Sequence, residues 1–82
     1  MIIVDVEVPS LGRKYQFSVE EQVSVDTLIA ELTEVICQKE QCTLKGEVEK
    51  LYLCSGEQKR ILKRHATLAQ QGVVSADWLL LV

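Results

Sequence analysis

Three cysteines, Cys37, Cys42 and Cys54, and a single histidine, His65, are the side chains in this 82-residue sequence best suited to hold a metal or attack an electrophile. Their spacing argues against both. A zinc site draws four ligands from closely paired positions, whereas Cys37 and Cys42 stand five apart and His65 lies in an unrelated segment. No metal and no cofactor is expected. An odd number of cysteines in a chain without an export signal also speaks against a disulfide framework. The expectation is free thiols packed as small, half-buried hydrophobes. His65 has no Ser or Cys placed near it by a recognisable motif, so it reads as a solvated residue of a basic loop. Glu31 and Glu34 fall on the outer side of a helix, where they serve solubility. With no phosphate loop and no paired carboxylates in a credible pocket, the chain is expected not to be an enzyme.

Charge is the other chemically suggestive feature. The net charge is −3, but residues 1–49 carry −6 and residues 50–82 carry +3. Lys50, Lys59, Arg60, Lys63 and Arg64, with His65, concentrate the positive charge, and Lys59, Arg60, Lys63 and Arg64 form a candidate electrostatic docking strip. The alternative is a solvated loop flanking a short strand. An acidic chain without aromatics interleaved among its bases is a poor binder of nucleic acid, so no nucleic-acid partner is expected.

Size sets the frame for these residues. A chain of this length has one small core, so residues 1–82 are expected to form a single domain. An apolar fraction of 48 %, one Pro and four Gly fit a folded chain. No apolar run is long enough to span a bilayer, and Met1-Ile2-Ile3-Val4 is cut off by Asp5, too early for a signal peptide. No direct membrane insertion is expected, and a cytoplasmic location follows by default.

Ile2, Val4, Val6 and Val8 alternate with Ile3, Asp5 and Glu7, which predicts a half-buried strand. Pro9, Ser10 and Gly12 break the pattern, and Tyr15, Phe17 and Val19 alternating with polar residues predict a second strand at hairpin distance. Val25, Leu28, Ile29, Leu32, Val35 and Ile36 then recur at spacings of three and four, the stripe of an amphipathic helix over about 25 to 38, ending between Gln38 and Gln41. Ser24 is its N-cap, Asp26 complements its dipole, and Val23 with Leu28 makes a hydrophobic staple. A loop is expected from Cys42 to Glu49. Leu51-Tyr52-Leu53 reads as a third strand, Ser55-Gly56-Glu57 as a turn, Arg60-Ile61-Leu62 as a short fourth strand, and Trp78 to Val82 as the last. The order is β-β-α-β-β-β. One helix must bury its stripe against a sheet, so the predicted class is α+β, a mixed sheet of four to five strands packed on one helix.

That order is the β-grasp, or ubiquitin-like, arrangement, and particular residues support the likeness. Val19-Glu20 ahead of the N-cap Ser24, with Leu28 and Leu32 four apart, resembles ubiquitin's second strand and helix. Lys50-Leu51-Tyr52 resembles its third strand, and Thr67-Leu68 with Val73 and Leu79 its closing segment. Within ubiquitin-like families the chain resembles the YukD/EsaB group of the bacterial type VII secretion system. The shared features are a Val-rich first strand, a helix carrying Val25, Leu28, Ile29 and Leu32, and an ending with Leu68, Gly72, Val73, Asp77, Leu79 and Leu81. Where that family usually has Gly before the Asp, this chain has Ala76.

The resemblance implies a cytoplasmic, non-conjugating accessory or regulator whose partner is a component of the secretion machine. Ubiquitin and sulfur carriers act through a C-terminal Gly-Gly that threads an enzyme channel, whereas the sequence closes on Leu80-Leu81-Val82. The expectation is a final strand tied into the body, with no tail for conjugation, cleavage or membrane attachment. A sulfur carrier or modifier made from a longer precursor is the alternative, and a homodimer joined through the same strands is another. If Leu79 and Leu81 face the helix, alternation turns Trp78, Leu80 and Val82 outward, and Tyr52 joins them from between Leu51 and Leu53. Tyr52 resembles in position the central isoleucine of ubiquitin's recognition patch, and Val82 its companion valine. Contiguous exposed apolar surface marks a contact, and Trp and Tyr carry much of the energy in protein interfaces. The competing expectation is that residues 42–50 cover that face.

Overall fold

The computed structural model describes residues 1–40 and 51–82. Strand β1 (Ile2–Val8) is followed by one turn of 3-10 helix at Pro9–Leu11, strand β2 (Arg13–Val19), helix α1 (Val25–Glu40), strands β3 (Leu53–Ser55) and β4 (Arg60–Ile61), a 3-10 turn at Ala69–Gln71, and strand β5 (Trp78–Leu81). The described strands form one sheet in the order β2-β1-β5-β3-β4. β1 and β5 lie side by side in parallel at its centre, and the other neighbours are antiparallel. The predicted order of elements is the observed one.

Period-two patterning puts Val4, Val6, Val8, Val19, Leu53, Leu79 and Leu81 on the side facing α1, all buried. The helix returns Val25, Leu28, Ile29, Leu32 and Ile36 to the same core. One stripe position differs from expectation: Val35 is 38 % exposed and Thr33 is buried. Both lie about 80° from the centre of the stripe at 100° per residue. The Thr33 side is the buried one, and there the hydroxyl donates to the Ile29 carbonyl oxygen at 2.7 Å and is not an unsatisfied polar group.

The helix start is as the sequence predicts, and more heavily reinforced. Ser24 Oγ accepts from the Thr27 amide at 3.3 Å. The amides of Val25 and Asp26 donate to the carbonyl oxygens of Ala66 and Arg64 at 2.9 and 3.0 Å, so two of the otherwise orphaned first-turn donors are tied to a distant loop. Thr67 and Gln70 form a reciprocal capping box at 3.0 Å each way ahead of the Ala69–Gln71 turn.

Strand β3 begins later than predicted, at Leu53 rather than Leu51, and runs through Ser55. Tyr52 nevertheless extends the β3–β5 ladder, because its amide and carbonyl exchange hydrogen bonds with Val82 at 2.6 and 2.9 Å. Ser55, expected in a turn, is a buried strand residue whose Oγ accepts from the Gln58 amide at 3.1 Å and starts the turn one position later. The expected fourth strand is two residues long, and Leu62 beyond it is buried. The loop expected at 42–49, with Cys42 and Lys50, lies outside the described residues.

Candidate functional site

The side of the sheet away from α1 is where the expected binding residues meet. The register Glu7–Leu80–Cys54–Ile61 runs across β1, β5, β3 and β4, and the next row holds Asp5, Trp78 and Gly56. Tyr52 and Val82 pair at the far end. Trp78 is 39 % exposed, Tyr52 47 %, Val82 49 % and Ile61 59 %, while Leu80 and Cys54 are half-buried. The geometry therefore brings Tyr52, Trp78, Leu80 and Val82 together on one face and adds Ile61, which the sequence reading placed in a strand without a face. The missing signal was the pairing of Ile61 with Cys54, since a two-residue strand carries no alternation of its own.

Trp78 owes its position to Gly56. A Cβ at Gly56 would lie 2.2–2.4 Å from the indole atoms Cε2, Cζ2 and Cδ2, so the ring rests on bare backbone. The Gly56 amide donates to the Trp78 carbonyl oxygen at 3.0 Å, fixing that approach. A glycine under a cross-strand aromatic lets the ring cover an otherwise open stretch of chain.

Beside the apolar rows, β2, β1 and β5 enclose a shallow depression of about 590 Å³ lined by Asp5, Glu7, Lys14, Gln16 and Trp78 among others. Burial pushes the Cys54 thiol above its ordinary value by removing water from the thiolate, which makes it a poor nucleophile at neutral pH.

The basic segment is divided by the fold. Arg64 pairs with Asp26 at the start of α1 and donates to the Leu51 carbonyl oxygen, and its side chain is 19 % exposed. Arg60 donates to the Gln71 carbonyl oxygen at 2.9 Å and to Gln58 Oε1 at 2.5 Å. Lys59 and Lys63 are exposed.

Gln71 is a structural residue that pattern reading missed. It is buried, its Oε1 accepts from the Lys63 amide at 2.6 Å, and its Nε2 donates to the carbonyl oxygens of Lys63 and Thr67 at 3.0 and 3.3 Å. Ala76, just ahead of Asp77, adopts φ 77 in the left-handed region that favours glycine. The turn therefore keeps the glycine conformation without the glycine. Next to it, Asp77 Oδ2 accepts from the Val74 amide at 3.0 Å and closes the turn into β5.

Among the described residues, no helix is long and apolar enough to cross a membrane. No family model matches the sequence, and no curated protein matches it. Solved structures do. A ubiquitin-like domain from Arabidopsis thaliana superposes with a TM-score of 0.73 at 16 % identity, covering 99 % of this chain and 74 % of that one. The ubiquitin-like domain of Plasmodium falciparum Dsk2 gives 0.71 at 23 % identity over 99 % and 95 % of the two chains. The N-terminal ubiquitin-like domain of the 4931431F19Rik protein gives 0.71 at 21 % identity over 99 % and 72 %. The chain has the ubiquitin-like β-grasp fold, a five-stranded mixed sheet with one helix.

Proposed function

We propose that this protein is a non-conjugating protein-interaction module that presents the outer face of its sheet to a protein partner. The observation that carries this reading is the outward placement of Tyr52, Trp78, Leu80, Val82 and Ile61 on adjacent strands, held by a buried inner face. Rigid aromatic and aliphatic anchors on a preformed surface cost little ordering entropy on binding. The same reading makes the protein a cytoplasmic accessory or regulator of a bacterial type VII-like secretion machine, on the strength of its likeness to the YukD/EsaB pattern through Leu68, Gly72, Val73 and Asp77. Its partner is then a component of that machine.

The test is direct binding of purified secretion-machine components to the wild type and to a Tyr52→Ala/Ile61→Ala variant. Both side chains are about half exposed or more, so the variant changes the surface without opening the core. Binding by the wild type with loss in the folded variant supports the reading; equal binding by both removes the face from the account. Sedimentation over a range of concentrations separates a monomeric adaptor from a homodimer joined through this face. Intact mass of the natural product separates it from a carrier processed from a longer precursor.

A further inference from the structure

We propose that the depression beside Trp78 receives a basic side chain, so that the occupant of the outer face is a partner-protein segment carrying a lysine or arginine next to an apolar anchor. This rests on the reading of that face as a docking surface and adds the chemistry of what docks there.

The argument starts from the register. Glu7 lies opposite Lys14 on β2, both on the outer side, so their charges offset one another locally. Asp5 has no base directly opposite; Lys14 is its diagonal neighbour and lines the same depression, but makes no ion pair with it. Its cross-strand partners are Gln16 on one side and Trp78 on the other. Its side chain is exposed, and among the described residues its carboxylate has no ion pair and no hydrogen bond. The bases that the sequence concentrates after residue 58 do not reach it: Arg64 is committed to Asp26 and Leu51, and Arg60 to Gln58 and Gln71.

A partner that covers Trp78 and Leu80 must also strip water from Asp5, the residue beside Trp78 in the register. Covered by apolar or acidic groups, that carboxylate would be desolvated and unpaired, which opposes binding. Covered by a lysine or arginine, it gains a charge-assisted hydrogen bond, and the apolar stem of that side chain packs beside Trp78, which lines the same depression. The arrangement therefore attracts a basic segment and rejects neutral and acidic ones. It equally disfavours anionic lipid headgroups and phosphodiester backbones, which leaves a basic stretch of protein.

The experiment is selection from a randomised peptide library on the immobilised full chain, followed by affinity measurement of selected peptides on wild type, Asp5→Lys and Tyr52→Ala/Ile61→Ala. The expected result is enrichment of Lys or Arg beside an aromatic or aliphatic residue, affinity that falls as salt rises, and about tenfold weaker binding to Asp5→Lys. Replacing the selected base by Glu restores binding to Asp5→Lys, an outcome that a merely misfolded variant does not give. Peptides without basic enrichment, or binding that is equal on wild type and Asp5→Lys, overturn the proposal. If those same peptides still lose binding on Tyr52→Ala/Ile61→Ala, the docking face stands and only its charge preference fails. Insensitivity to both variants, or no enrichment at all, overturns both.

Discussion

Replacing Gly56 by alanine tests the packing that orients Trp78 on the outer face of the sheet. The added methyl would sit 2.2, 2.3 and 2.4 Å from Cε2, Cζ2 and Cδ2 of Trp78, against a comfortable carbon–carbon separation of about 3.5–4.0 Å. The indole must therefore retreat by more than about 1 Å. Backbone conformation does not interfere, because Gly56 is not among the glycines with positive φ. Trp78 is 39 % exposed, so about 150 Å² of it is covered, and at roughly 25 cal/mol per Å² this covering contributes at most about 4 kcal/mol. Displacing the ring sheds part of that, in line with the roughly 1–3 kcal/mol typical of overpacking. Alanine offsets about 0.4–1 kcal/mol by restricting the unfolded chain. The expected net loss is about 1–2 kcal/mol, a fall in Tm of the order of 5–15 °C for a domain of this size. Urea unfolding followed by far-ultraviolet circular dichroism measures it independently of the single tryptophan, whose emission should shift towards the red as it becomes wetter. The decisive control is the same change in a Trp78→Val background, where Gly56→Ala should be neutral or slightly stabilising. An equal loss in both backgrounds would refute the claim that Trp78 requires the glycine.

Three further substitutions or conditions probe other parts of the scaffold. Ala76→Gly relieves a left-handed residue that costs about 1–2 kcal/mol, less about 0.4–1 kcal/mol of added unfolded-state entropy; a stabilisation of up to about 1 kcal/mol is expected by thermal melting. Gln71→Ala strands the Lys63 amide and carbonyl and should cost about 2–3 kcal/mol, with faster hydrogen exchange at the Lys63 amide. Cys54, its pKa raised by burial, should react with iodoacetamide more slowly than an unfolded control at a pH just below its ordinary value. The sign of its linkage follows: a raised folded-state pKa leaves stability intact below the ordinary value near 9.0 and lost as pH rises through the higher, folded one, so a Cys54→Ala variant should show a shallower alkaline decline.

The alternations Val4-Val6-Val8 and Leu79-Leu81 and the stripe Val25 to Ile36 were legible because each side chain's preference for the interior agrees with the period of its own element. What stayed hidden depends on partners far along the chain. Gln71 reads as polar and therefore exposed, but its burial is made possible by backbone groups at positions 63 and 67 that no local pattern supplies. Gly56 reads as a turn glycine, and its tighter constraint comes from Trp78 across the sheet. Val35 and Thr33 are equivalent by angle, and only the tertiary surroundings of the helix separate them.

The basic segment shows that the positions of charges along a sequence carry less structural information than periodicity does. Lys59 to Arg64 has the look of a surface strip, but charge along a sequence says nothing about where the guanidinium ends. Arg64 reaches Asp26 at the start of α1, beside the Ser24–Thr67 bridge, and Arg60 reaches the turn at Gln71. An arginine so held has already lost rotamer freedom to intramolecular partners, and a docking protein would compete with those bonds to recruit it. Asp5 is in the opposite condition: exposed, without an ion pair or hydrogen bond to its carboxylate among the described residues, and adjacent in register to Trp78. Residues 59–64 hold four of the nine bases of the sequence, yet the charge beside Trp78 in the register is that of an acid on the first strand.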